Sequence, residues 1–142
     1  MVRALAAAGA DLADVGIIAP YRSQVRAIRA ALDAATASSS SGGGADLSSV
    51  ELNTADKFQG RDKGTVLVSF TRSNAQGRVG ELLRDRRRVN VMLSRAKAAL
   101  VLVGSARTLE RGCDVLAALV AAVRRRGWLV ELPPDALSAA AQ

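Results

Sequence analysis

The chain has 142 residues, with 20 Lys and Arg against 13 Asp and Glu, no His and a single Cys, for a net charge of +7. That length suits one domain with a real core, and 49% apolar with 23% charged residues is ordinary globular chemistry, not that of a disordered chain. Without His, and with Cys113 alone, a zinc site, an internal disulfide, a cysteine-built iron–sulfur centre and a Ser-His-Asp hydrolase are excluded, and no metal site is expected. No apolar run approaches the ~20 residues of a membrane span and no signal peptide stands out, so a reducing, intracellular compartment is expected.

Residues 1–14 read as a lead helix or tail, weakly helical from Arg3 to Leu12. Val15 to Ala19 is a β-branched run closed by Pro20, a buried strand. From Tyr21 to Ala35 the period becomes helical, with Tyr21, Val25, Ile28 and Leu32 on one stripe. Thr36 to Ser49 is Ser/Gly-rich and reads as a flexible insertion within a domain spanning 15–132. Val50 to Asn53 is a second strand and Thr65 to Phe70 a third, separated by the polar stretch Thr54 to Gly64. A polar loop, Arg72 to Gly80, precedes a helix from about Asp85 to Ala98. Ala99 to Val103 is a fourth strand, Val115 to Arg126 a further amphipathic helix with Gly127 as its stop, and Trp128 to Leu132 a fifth strand. After Pro133-Pro134, residues 133–142 read as a disordered tail.

Strands alternating with helices imply an α/β fold: a mostly parallel sheet of four to five strands with helices on both faces. Ligands of such sheets gather outside the carboxyl ends of the strands. The segments Pro20 to Arg22, Thr54 to Asp62, Thr71-Arg72 and the loop after Val103 are expected on that rim.

Chemistry concentrates in two stretches. Asn53 to Lys63 (NTADKFQGRDK) packs hydroxyl, amide, carboxylates and cations between two apolar strands, suited to holding nucleotide or phosphate; a solvated, charge-balanced turn is the plain alternative. Arg86 to Lys97 (RRRVNVMLSRAK) places Arg88 and Arg95 seven apart, on one face if the segment is helical throughout, with Arg95 projecting from the domain edge. A guanidinium there suits charge on a transferring phosphoryl group; solvation of a surface helix is the plain alternative. Seventeen of the 20 basic residues are Arg, some of them crowded at Arg84 to Arg88 and at Arg124 to Arg126. No G-x-x-x-x-G-K-[ST] or G-x-G-x-x-G occurs, so the phosphate cradle of a self-sufficient NTPase is missing from the chain.

VGIIAPYRSQ, NTADKFQGRDKGTVLVSFTRSN, VGELLRD and RRRVNVMLSRAK…LVLVG, in that order over Val15 to Gly104, resemble the later helicase motifs of the Upf-one-like branch of superfamily-one helicases, and within it the DNA replication helicase/nuclease group. The resemblance implies a second RecA-like motor domain. Its partner is a first RecA-like domain, in the same longer chain or in trans, that carries the phosphate loop and binds most of the ATP and Mg²⁺. Single-stranded DNA, or alternatively RNA, crosses both domains. The resemblance makes Arg95 the catalytic arginine finger. It places Gln59, Gly60 and Asp62, with Tyr21, Arg22 and Arg88, at the nucleotide, and Thr54, Asp56 and Arg72 on the nucleic-acid track. Ser94 stands where Thr is more usual and Met92 where a small residue is, without loss of chemistry. Nuclear action is implied, and the relatives' nuclease, which resides in a separate domain, does not carry over.

Two functions follow. The chain is the second motor domain of an ATP-dependent DNA helicase, inactive by itself, or it is a stand-alone basic nucleic-acid-binding or interaction module without ATPase activity. A phosphate-loop element encoded upstream separates them.

Overall fold

A computed structural model describes residues 1–39 and 46–133. Four apolar stretches form its sheet: β1 (Val15–Ile18), β2 (Glu51–Asn53), β3 (Lys63–Ser69) and β4 (Ala96–Val103). They pair in the order β2-β1-β3-β4, every pair parallel. Parallel pairing demands crossovers, and helices cover both faces, so central strands must be apolar on both sides. β1 is accordingly buried along its whole length.

Side-chain alternation sends neighbouring residues of one strand into two separate cores. On one face Ile18, Val66, Val68 and Phe70 meet Phe58, Leu83, Met92 and Leu116; on the other Val15, Ile17 and Leu67 meet Leu12, Leu32, Leu47 and Leu52. At about 1.5–3 kcal/mol per fully buried large apolar side chain, these two layers outweigh the polar pairs described below. Gly16 is a packing requirement of the first layer, since a Cβ there would stand 2.5 Å from Phe58 Cζ.

The helices are α1 (Val2–Ala7), α2 (Arg22–Ser39), α3 (Ala55–Phe58), α4 (Glu81–Arg84), α5 (Arg86–Leu93), α6 (Ala106–Gly112) and α7 (Asp114–Arg125). Caps set several boundaries. Asp85 accepts from Arg87 N at 2.9 Å to start α5, and Ser105 accepts from Thr108 N to start α6.

Four sequence expectations are corrected. The helix expected from Asp85 to Ala98 ends at Leu93, because Ala96 pairs with Lys63 and Lys97-Ala98 carry β4 on through a register irregularity to Ala99; pairing overrides the helix preference of Ala and Lys. The expected fifth strand, Trp128 to Leu132, is a short apolar run but pairs with no strand, so the sheet has four strands among the described residues. The insertion 36–49 is ordered at both ends: residues 36–39 complete α2, and Asp46 caps a 3₁₀ turn, Leu47–Ser49, that buries Leu47. Leu47 N donates to Thr36 Oγ1 at 3.3 Å, tying those ends together; residues 40–45 lie outside the described residues, as do residues 134–142 of the expected tail. Finally, α3, α4 and α6 fall where the sequence reads as loop or unassigned chain.

Candidate functional site

Two polar groupings stand at opposite ends of the sheet. The segment Thr54 to Asp62, expected wholly on the carboxyl rim, joins them: it leaves β2 at its carboxyl end, descends through α3 and delivers Asp62 to the amino end of β3. Gly60, at φ +77°, makes the turn that aims Arg61 and Asp62 there.

At the carboxyl rim stand two side-chain pairs, Tyr21 with Arg72 and Asp56 with Arg88. Tyr21 Oη donates to Val79 O at 2.9 Å and accepts from Arg72 Nε at 3.2 Å, and the Arg72 guanidinium lies 4.7 Å from the Tyr21 ring centroid. Gly80, at φ +77°, permits this: a Cβ there would stand 2.6 Å from Tyr21 Oη. Beside Arg72, Thr71 holds φ 64°, a left-handed conformation costly for a β-branched residue, and Arg72 N bonds Phe70 O at 2.6 Å across it. Arg88 grips Asp56 through Nε at 3.0 Å and Nη2 at 3.4 Å, and reaches Asp85 Oδ2 at 3.3 Å. The Asp56 carboxylate, by hydrogen bond and charge, and then Asp85, raise the Arg88 pKa above its ordinary value against the opposing pull of desolvation. Tyr21, Arg22, Thr54, Asp56 and Arg88 line a cleft of about 340 Å³, and Tyr21 and Arg72 line an adjacent hollow with Ser23, Thr71 and Asn74. Thus Tyr21, Arg22 and Arg88, expected at the nucleotide, share one rim with Thr54, Asp56 and Arg72.

At the amino ends, Arg95 follows α5 and immediately precedes β4, with its carbonyl accepting from Lys63 N at 3.0 Å. It therefore shares no helical face with Arg88, and it does not project toward the carboxyl rim. Its Nη1 pairs with Asp62 Oδ1 at 3.0 Å, the two side chains 22% and 49% exposed, and Nη2 donates to Ser94 Oγ at 3.1 Å. Arg95 Nε is buried without a partner among the described residues. Alongside, Glu51 receives Arg61 at 2.6 Å and Lys63 at 3.2 Å, and Lys63 Nζ also donates to Ala13 O at 2.7 Å. Burial pushes the Glu51 carboxyl up, but Arg61 and Lys63 together outweigh it and hold the pKa below its ordinary value of 4.5. Gln59 and Gly60 are exposed between the two ends.

An AAA domain family model matches residues 1–107, which hold both groupings. The chain belongs to the AAA domain family. It is 43% identical over 129 residues to the DNA replication ATP-dependent helicase/nuclease DNA2 of Xenopus laevis, covering 91% of this chain and 11% of that protein. With the Homo sapiens protein of that name it shares 49% over 103 residues, 72% of this chain and 9% of the relative. The Schizosaccharomyces pombe protein is 38% identical over 124 residues, 87% of this chain and 8% of the relative. The chain thus spans about a tenth of the length of these relatives, and it is similar to their helicase C-terminal region. The parallel α/β architecture agrees with a RecA-like fold.

Some participants at both ends carry no signal as single residues. Val79 contributes only a carbonyl, and Gly80 only the lack of a side chain. Glu51 reads as the polar member of a strand until the fold brings Arg61 and Lys63 to it. Asp85 was within reach, since an acidic residue directly before an Arg-rich helix is a capping position. Among the described residues no group of three or more His, Cys, Asp or Glu could hold a metal ion, and no helix is long and apolar enough to cross a membrane.

Proposed function

We propose that the chain is the second motor domain of an ATP-dependent DNA helicase, with nucleotide chemistry at the amino ends of β3 and β4 and nucleic acid on the carboxyl rim. One observation carries the reading: Arg95 and Asp62 pair at 3.0 Å at the sheet end opposite the Tyr21–Arg72 cluster. A motor domain must couple two ligands without merging their sites, and seven residues of β3 separate these groupings by ~20 Å.

The amino-end residues fit a terminal phosphate. Arg95 brings permanent charge and planar donors, and its orphaned Nε leaves donor capacity unspent. ATP supplies the transferable γ-phosphoryl group when bound. Arg95 contributes positive charge to the oxygens of that group, and Asp62, half-exposed beside it, orients the guanidinium and releases it toward the phosphate. Gln59 and Gly60 lie on the same connection from the track and complete the nucleotide-facing edge. Mg²⁺ is assigned with the nucleotide to the first domain, which carries the phosphate loop in the family this chain resembles. On the rim, Thr54, Asp56 and Arg72 contact the backbone of a single strand, with DNA favoured over RNA by the similarity to DNA replication helicase/nucleases. Tyr21, Arg22 and Arg88 line one cleft with Thr54 and Asp56, which supports a place for them on the same track. The relatives' part in DNA replication supports nuclear action.

Alone, the chain is expected to hydrolyse ATP negligibly. Joined to a first motor domain carrying the phosphate loop, it should turn over ATP, and Arg95→Ala should lower turnover on the order of 10³-fold or more while oligonucleotide binding persists. Undiminished turnover in that variant would overturn the reading.

A further inference from the structure

Arg124, Arg125 and Arg126 close α7, and Trp128, the chain's single tryptophan, follows Gly127. Cations in a last turn complement the helix dipole, which accounts for a basic residue or two there. It does not account for the tryptophan. Gly127, at φ +67°, donates to Arg124 O and Trp128 N donates to Val123 O at 3.1 Å, so the helix ends in a closed Schellman turn. That turn usually buries the residue at the Trp128 position against the preceding helix. Here the indole is 70% exposed, with the Arg126 guanidinium 5.3 Å from its centroid. Arg126 also donates to Ala122 O at 3.4 Å, Arg124 pairs with Glu110, and exposed Arg125 has no acidic partner among the described residues. A rigid backbone therefore presents an aromatic plane beside unneutralised positive charge, with its ordering entropy already met in folding.

We propose that this arginine–tryptophan corner is a second contact for single-stranded nucleic acid, in which a base stacks on Trp128 and phosphates engage Arg125 and Arg126. The charge density favours a polyanion, and the flat exposed ring favours bases over carboxylates. The corner is separate from the rim: Cys113, the residue before α7, has its Sγ 3.7 Å from Leu83 O, and the helix carries its basic end ~18 Å away. It shares only the ligand class with the proposed track.

The lone tryptophan makes the test direct. Oligothymidylate added to the chain should quench indole emission in step with the anisotropy of the labelled strand. Trp128→Ala should weaken binding about 5- to 100-fold, with Trp128→Phe retaining most of it, since both stacking and its loss are local to an exposed ring. Replacing Arg125 and Arg126 by Gln should lower the salt slope by about 1.4. Arg72→Ala, on the rim, should reduce affinity yet leave the quenching of bound complexes intact. Binding that survives Trp128→Ala but not Arg72→Ala would sink the corner and spare the track. Equal quenching by polyglutamate would also overturn the proposal, in favour of an acidic protein partner.

Discussion

The carboxyl rim is braced by its surroundings, whereas the amino-end cluster is braced mostly by itself. Tyr21 on the rim is pinned by a guanidinium, a carbonyl and a glycine, all from the loop between β3 and α4. Arg95 is held by Asp62 and by its neighbour Ser94. A surface that must keep a chain in register gains from rigidity, because ordering costs are met in folding and not on binding. A guanidinium that must move onto a phosphate needs a partner it can leave. Water reaches the Asp62 carboxylate, 49% exposed, and loosens its hold on the guanidinium.

The sharpest break in this contrast is Gly80→Ala. It forces a left-handed side chain against Tyr21 Oη, and should cost about 2–3 kcal/mol and weaken oligonucleotide binding, while leaving the amino end intact. Equal thermal midpoints for variant and parent would show that the rim is not rigid. Next is Thr108→Val. The buried Thr108 Oγ1 donates to Asn74 O and accepts from Asn74 N, both at 3.0 Å, tying α6 to the loop that carries Arg72. Its loss should cost about 1–3 kcal/mol in denaturant unfolding.

Smaller effects are expected at the self-braced end. The Glu51 carboxyl sits below 4.5 when folded, so its stabilising contribution is present above pH 4.5 and is lost as pH falls through the lowered value. Glu51→Gln should flatten that acid limb of a melting-temperature profile; an unchanged limb would mean the Arg61 and Lys63 pairs do not matter to folding. Smallest of all, and back on the rim, Asp56→Asn at the exposed Arg88 pair should leave the melting temperature close to the parent's while slightly raising the salt dependence of oligonucleotide binding, because Arg88 is then free for a phosphate.

Legibility in the sequence follows the range of the interactions. The β-branched run at Val15 and the period of α2 and α7 are local patterns with one dominant solution, and their strands and helices appear within a few residues of expectation. The junction at Ser94-Arg95 was illegible. Ala96 to Ala98 read as helix until β3 offers them a hydrogen-bonding partner, and that partner lies some 30 residues away. Trp128 to Leu132 fails for the converse reason: an apolar run suits a strand, but only a neighbour makes one.

Residue chemistry and motif order alone determined that this is a parallel α/β domain without its own phosphate cradle, because charge type, periodicity and the lack of a G-x-x-x-x-G-K-[ST] element are properties of the linear chain. Which of its polar residues act together was decided by the fold. The crossover through α3 carries Asp62 away from Thr54 and sets it against Arg95, and proximity between groups far apart in sequence exists only once both cores have packed.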